Sequence, residues 1–210
     1  MTLGTSIYPL CLVTDRGLAR GRSLADVVAA AVRGGVTMVQ LREKRATTRA
    51  FLEEARALKA LLQGRGVPLI VNDRVDIALA VDADGVHVGQ SDMPVETVRA
   101  LIGPDKLVGL SITDEEAIAR PDALAADYLG IGPVHPQHTK SDASVPLGIG
   151  GFGKLRRLTA KPVLAIGGVK PADVALLHEE GADGFAVVSA IMAAEDPEAA
   201  ARAFRDASAL

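Results

Sequence analysis

The feature that most restricts this chain is a two-part rhythm. A short β-branched run is followed by a helical stretch, and the unit recurs about eight times from end to end. The strand candidates are Pro9–Thr14, Thr37–Leu41, Leu69–Val71, Gly85–Val88, Leu107–Leu110, Tyr128–Ile131, Val163–Ile166 and Gly184–Val187. They are short and mostly apolar on both faces, as strands covered by helices are. Between them, Leu24, Val27, Val28, Ala31 and Val32 follow the i, i+3, i+4, i+7 spacing of a helix. Ser23 precedes that run as an N-cap, with Asp26 three residues on and Gly34 just past the end. Phe51, Ala55, Leu58 and Leu62 repeat the pattern behind Thr47 or Thr48, while Pro171 and Pro197 suit first helical turns and Asp196 a cap.

Alternating βα units imply parallel strands joined by right-handed crossovers. Eight such units can close into a barrel, and 210 residues sit at the compact end of that fold's range. The competing open sheet would carry G-x-G-x-x-G after its first strand, where this chain has Asp15-Arg16-Gly17. No linker or low-complexity stretch divides the chain. The expectation is one α/β domain over residues 1–210, a single (β/α)8 TIM barrel.

Composition sets the boundaries. With 49% hydrophobic residues, the chain can bury a large core without disulfides or a structural metal. The lone Cys11 lies in an apolar run and reads as a buried thiol, which fits a reducing compartment. A net charge of −3 and 3% aromatics give neither the basic face nor the stacking platform of a nucleic-acid binder. The first residues lack the cationic start of a signal peptide. No apolar run approaches the roughly 20 residues of a membrane helix. A cytoplasmic protein with small-molecule partners, no nucleic acid and no membrane is expected; homo-oligomerisation is left open.

In such a barrel the chemistry collects on the loops after the strands. Those loops begin with Gln40-Leu41-Arg42-Glu43-Lys44, Asn72-Asp73-Arg74, Gly89-Gln90-Ser91-Asp92, Ser111, Gly132 to Lys140, Gly167-Gly168 and Val188-Ser189. Asp73 and Asp92 follow adjacent strands, so their carboxylates can converge on a hard cation such as Mg²⁺. The alternative is that each caps the helix after it. His/Cys clusters at zinc spacing are absent. Gly167-Gly168 with Val188-Ser189 match the barrel's recurring phosphate cradle. Two anion zones are expected, one metal-assisted and suited to a diphosphate, the other a backbone cradle suited to a monophosphate. His87 reads as a hydrogen-bonded barrel residue rather than a ligand, and no Ser–His or Cys–His nucleophile arrangement is visible.

Together these residues resemble the thiamine-phosphate synthase family, from Val13-Thr14-Asp15 to Ala194-Glu195-Asp196-Pro197. The most specific pieces are Val39 to Lys44, Val71 to Arg74, Ala83 to Asp92, Leu129 to Pro133, Thr139-Lys140, Ala165 to Gly168 and Val188 to Ile191. The resemblance implies that an aminopyrimidine methyl diphosphate is joined to hydroxyethylthiazole phosphate, giving thiamine monophosphate and pyrophosphate. It implies that Gln40, Leu41, Arg42, Glu43, Lys44, Asn72, Ser111 and Lys140 hold the pyrimidine diphosphate. Asp73 and Asp92 would hold Mg²⁺. Gln137, His138, Thr139, Gly168, Val188 and Ser189 would hold the thiazole phosphate. Lys44, Ser111 and Lys140 would stabilise charge on the leaving group.

One departure stands out: the family usually reads Pro-Thr-x-Thr-Lys after strand six, where this chain has Pro136-Gln137-His138-Thr139-Lys140. The Gln137 amide can still donate to a phosphate. Two other readings stay open. One is a thiazole tautomerase, whose relatives place a histidine in this loop but tend to lose the Gln-x-Arg-Glu-Lys run and the aspartate pair. The other is a non-catalytic thiamine-phosphate-binding barrel.

Overall fold

The computed structural model describes residues 10–136 and 145–208. Among them are eight strands: β1 Leu10–Val13, β2 Met38–Leu41, β3 Leu69–Asn72, β4 Gly85–Val88, β5 Leu107–Ile112, β6 Tyr128–Ile131, β7 Val163–Ile166 and β8 Gly184–Val187. They pair in chain order, all parallel, and β8 returns to β1 through Leu10↔Phe185 and Leu12↔Val187 to close the barrel. The predicted (β/α)8 architecture is the observed one.

The helices are α1 Leu24–Arg33, α2 Thr48–Leu62, α3 Val75–Ala80, α4 Val95–Ile102, α5 Glu115–Ala119, α6 Pro121–Ala125, α7 Gly148–Arg156, α8 Val174–Glu179, α9 Ser189–Met192 and α10 Pro197–Ala207. Their starts follow local chemistry. The Ser23 hydroxyl accepts the Asp26 N–H at 3.0 Å, and Asp196 accepts that of Ala199 at 3.0 Å. Thr47 rather than Thr48 caps α2, accepting from Ala50 at 3.3 Å. Pro171 opens a 3-10 turn ahead of α8, and Pro197 lies in the first turn of α10. No helix among the described residues is long and apolar enough to cross a membrane.

Strand alternation divides the core in two. Leu12, Val39, Leu41, Val71, Leu129 and Phe185 belong to the large layer between strands and helices. Their neighbours Cys11, Val13, Met38, Ile70, Tyr128 and Leu164 form a separate cluster inside the barrel. Side chains two residues further on stay on the inner face, because the period of a strand is two. That parity carries Gln40, Asn72, His87, Ser111, Gly130, Ile166 and Val188 to the inner mouth at the C-terminal end.

At the other end a repeated clamp holds the strand starts. Asp84, Asp127 and Asp183 each precede an even-numbered strand and accept the N–H of Leu69, Val108 and Val163 at 2.8, 2.7 and 2.8 Å. The Thr37 hydroxyl takes the corresponding place before β2, accepting from Leu10 at 3.2 Å. Each therefore ties the strand it introduces to the strand before. Three of the clamps are backed by a base, through Lys59–Asp84, Arg99–Asp127 and Arg156–Asp183 ion pairs.

Candidate active site

A cavity of about 390 Å³ opens at the C-terminal mouth. Inner-face residues Val13, Gln40, Asn72, His87, Ser111, Gly130, Ile166 and Val188 form its floor and wall, and Arg42, Lys44, Asp73, Gly89 to Asp92, Thr113, Gly132, Pro133 and Gly167 its rim. Of the predicted site residues, Gln40, Arg42, Lys44, Asn72, Asp73, Asp92, Ser111 and Val188 thus share one cavity. Gly168 and Ser189 adjoin lining residues without lining it themselves. Gln137, His138, Thr139 and Lys140 lie outside the described residues. Leu41 has the opposite strand parity and packs, fully buried, in the layer beneath the helices. Only its backbone is left to face a ligand. Val13 and Ile166 were not singled out from the sequence, yet counting by twos from Cys11 and Leu164 along β1 and β7 reaches both.

Asp73 and Asp92 do not cap helices. The N-caps of α3 and α4 are Arg74 and Pro94, neither with a side-chain capping bond. Asp92 instead turns back, its carboxylate accepting the Gly89 N–H at 2.8 Å. Asp73 stands at φ +59°, a left-handed conformation costly for a residue with a Cβ, though Asp and Asn tolerate it best. Strain of this kind concentrates at functional positions. Its carboxylate accepts from the Lys44 ammonium. Burial raises the Asp73 pKa, the neighbouring Asp92 carboxylate raises it further, and Lys44 opposes both. Two carboxylates this close suit a divalent cation. No group of three or more His, Cys, Asp or Glu side chains is placed to hold a metal ion among the described residues. Such a pair fits Mg²⁺, which commonly takes one or two carboxylates and fills its other positions from water and substrate phosphate.

The loop bearing Arg42 and Lys44 is braced from β1. Thr14, fully buried, accepts the Arg42 N–H at 3.0 Å through its hydroxyl. Glu43 faces away from the cavity, accepting from Arg16 Nε at 3.2 Å and from the Arg45 N–H at 3.0 Å. Burial alone would raise the Glu43 pKa, but the Arg45 N–H and the Arg16 guanidinium hold it below the usual value. Arg16 also reaches Glu54 on α2 at 2.6 Å. The Glu43 side chain therefore shapes the loop, while Arg42 and Lys44 present charge to the cavity. Sequence reasoning missed this division, because Arg16 and Glu54 come from separate elements.

His87 is the hydrogen-bonded barrel residue that the sequence reading expected, and one of its partners is a serine at the cavity. His87 Nε2 lies 2.9 Å from Ser111 Oγ, and His87 Nδ1 lies 3.1 Å from the hydroxyl of Tyr128. Three consecutive strands carry the three residues. The β4–β5 register sets His87 beside Gly109, and Ser111 follows two residues later on the same inner face. Gln90 supports the serine from outside, donating to the Ser111 carbonyl at 2.8 Å.

Comparison with known proteins accords with this geometry. The sequence profile of the thiamine monophosphate synthase family matches residues 10–191. The chain is 53% identical to the thiamine-phosphate synthase of Chloroflexus aurantiacus over 198 residues, 94% of this chain and 91% of that one. It is 50% identical to that of Syntrophomonas wolfei, covering 95% and 96% of the two chains. The solved thiamine phosphate pyrophosphorylase from Pyrococcus furiosus superposes with a TM-score of 0.88 at 36% identity, covering 98% of this chain and 97% of that one. A 3-hexulose-6-phosphate synthase shares the fold, with a TM-score of 0.67 at 20% identity. With a barrel of this register, a mouth of this composition and relatives matched over nearly their full length, the chain belongs to the thiamine monophosphate synthase family.

Proposed function

We propose that the chain is a transferase that joins an aminopyrimidine methyl diphosphate to hydroxyethylthiazole phosphate, releasing thiamine monophosphate and pyrophosphate. The observation that carries this reading is the meeting of paired carboxylates, Asp73 and Asp92, with Arg42 and Lys44 at one cavity mouth. That combination serves a diphosphate: cations for its oxygens and acids for an accompanying metal. Mg²⁺ held by Asp73 and Asp92 would neutralise charge on the diphosphate as it departs.

The C–O bond to the diphosphate breaks and its electron pair leaves with the oxygen. The thiazole nitrogen then supplies the pair for the new C–N bond. No protein nucleophile is needed. What the protein supplies is placement and charge stabilisation. Gln40 and Asn72 present amides on the inner wall, where both donors and acceptors are available to a pyrimidine. Lys44, which pairs with Asp73, and Arg42 are the near cations for the departing diphosphate. Ser111 adds a hydroxyl to the same cavity. The family resemblance assigns the thiazole phosphate to the segment from Gln137 to Thr139 together with Gly168, Val188 and Ser189, and adds Lys140 to the diphosphate site.

The test is product formation by purified protein given both phosphorylated substrates, with Mg²⁺ and after chelation. Thiamine monophosphate and pyrophosphate in equal amounts, with Mg²⁺ present, is the expected result. Absence of both products with both substrates and metal supplied would overturn the activity. Undiminished turnover after complete chelation would overturn the metal assignment alone.

A further inference from the structure

We propose that His87 and Tyr128 form a positioning relay that holds the Ser111 hydroxyl as a hydrogen-bond donor toward an anion in the cavity. The inference rests on the synthase reading, in which that anion is the departing diphosphate.

The relay crosses the barrel interior from a dry end to a wet one. Tyr128 is fully buried, His87 is 5% exposed, and Ser111 lines the cavity. Space for it is cleared by glycine. A Cβ at Gly109 would collide with both the Tyr128 ring and His87 Nδ1, whereas one at Gly130 would only come into contact with His87 Cε1 at 3.4 Å. Glycine weakens a strand interior and marks a close approach. Gly109 is the one that the positions of the imidazole and the phenol ring require.

Polarity follows from the chemistry of the two hydroxyls. A phenol is far more acidic than an alkyl hydroxyl, so Tyr128 is the better donor of the two and gives its proton to His87 Nδ1. The neutral imidazole then carries its own proton on Nε2, as a ring with one nitrogen accepting must. Nε2–H donates to Ser111 Oγ at 2.9 Å. With a lone pair of Oγ so engaged, the serine hydrogen is turned away from the ring and toward the cavity. An anion there meets a donor already oriented. Such preorganisation acts on charge as it develops, without reorganisation at the moment of reaction. The opposite polarity, with Nε2 accepting from Ser111, would leave the serine offering only lone pairs to an anion.

The test is a double-mutant cycle read in kcat and in KM for the diphosphate substrate. Ser111→Ala is expected to lower kcat about a hundredfold. His87→Ala should lower it at least about tenfold in the Ser111 background and less than about twofold in the Ser111→Ala background, since coupled groups are not additive. His87→Gln, whose amide can donate at the reach of Nε2, should recover most of the loss. Tyr128→Phe should fall between, because the tautomer is released while the ring remains. Equal costs of His87→Ala in both backgrounds would show that the histidine acts through packing and overturn the relay. Wild-type kcat in both His87→Ala and Tyr128→Phe would overturn it as well. If His87→Ala does not fold, Tyr128→Phe carries the cycle, and its additivity with Ser111→Ala overturns the relay. The same cycle is repeated as binding of inorganic pyrophosphate by calorimetry. Coupling there, in a protein that forms no thiamine monophosphate, would leave the relay standing and remove the synthase reading.

Discussion

Glu54 is a carboxylate in an awkward position. It shares Arg16 with Glu43, and one of its oxygens, Oε2, is buried with no hydrogen-bond partner among the described residues. Burial raises its pKa above the ordinary 4.5, Arg16 works against that, and Glu43 adds to it. A carboxyl raised in this way binds its proton more tightly when folded. Its contribution to stability is complete below the unfolded value and is lost as pH rises through the folded one. Glu54→Gln should therefore gain on the parent chain as pH rises, in urea unfolding compared at about pH 4 and about pH 7. An equal difference at both would refute the burial account. Asp92 is a different case, on the rim and contributing one turn hydrogen bond. Asp92→Ala should lower turnover about a hundredfold while the circular dichroism spectrum is unchanged. Near-parental turnover in saturating Mg²⁺ would remove Asp92 from the metal site. The candidate acids and bases were legible as residues after strands, but Glu43's real partners were not, because nothing local in sequence brings Arg16 to it.

At the level of elements, the caps and strand cores follow from short-range chemistry, whereas the clamps beneath the strands do not. Ala83-Asp84, Ala126-Asp127 and Ala182-Asp183 stand before β4, β6 and β8, with Val36-Thr37 in the same place before β2. Nothing within a few residues of each one identifies the strand it will hold. The paired strands show that each satisfies an N–H that the neighbouring strand cannot. Asp183→Ala would leave the Val163 N–H without its carboxylate and remove the Arg156 ion pair. The expected cost is about 1–3 kcal/mol, the range for stranding a buried polar group. Asp183→Asn, which keeps an acceptor, should lose less. The check is the urea midpoint at unchanged slope. No loss in Asp183→Ala would make the clamp ornamental.

For the whole molecule, the last helix packs against the first. Gly34, at the C-cap of α1, has φ −75°, a conformation that alanine adopts freely. Backbone entropy alone would therefore favour Gly34→Ala by about 0.4–1 kcal/mol. Packing says the reverse. A Cβ there would run into the Glu198 carbonyl and lie 2.8 Å from the Ala201 Cβ of α10. Overpacking against backbone costs about 1–3 kcal/mol, so the net effect should be destabilising. Each kcal/mol lowers Tm by about 2–4 °C in a chain of this size. A rise in Tm for Gly34→Ala would mean that α10 yields without cost. The sequence by itself determined the βα alternation, the strand cores and the rim on which polar residues collect, because each depends on periodicity and on the neighbours a few residues away. It also carried the family motifs at Gln40 to Lys44, Asn72-Asp73 and Asp92. Only the tertiary structure turned Leu41 outward and Glu43 away from the mouth, tied Asp84, Asp127 and Asp183 to strands they do not belong to, and set His87 between Tyr128 and Ser111. Those relations arise where parallel strands meet side by side, and the register of that meeting is fixed by the closed barrel, not by any stretch of chain within it.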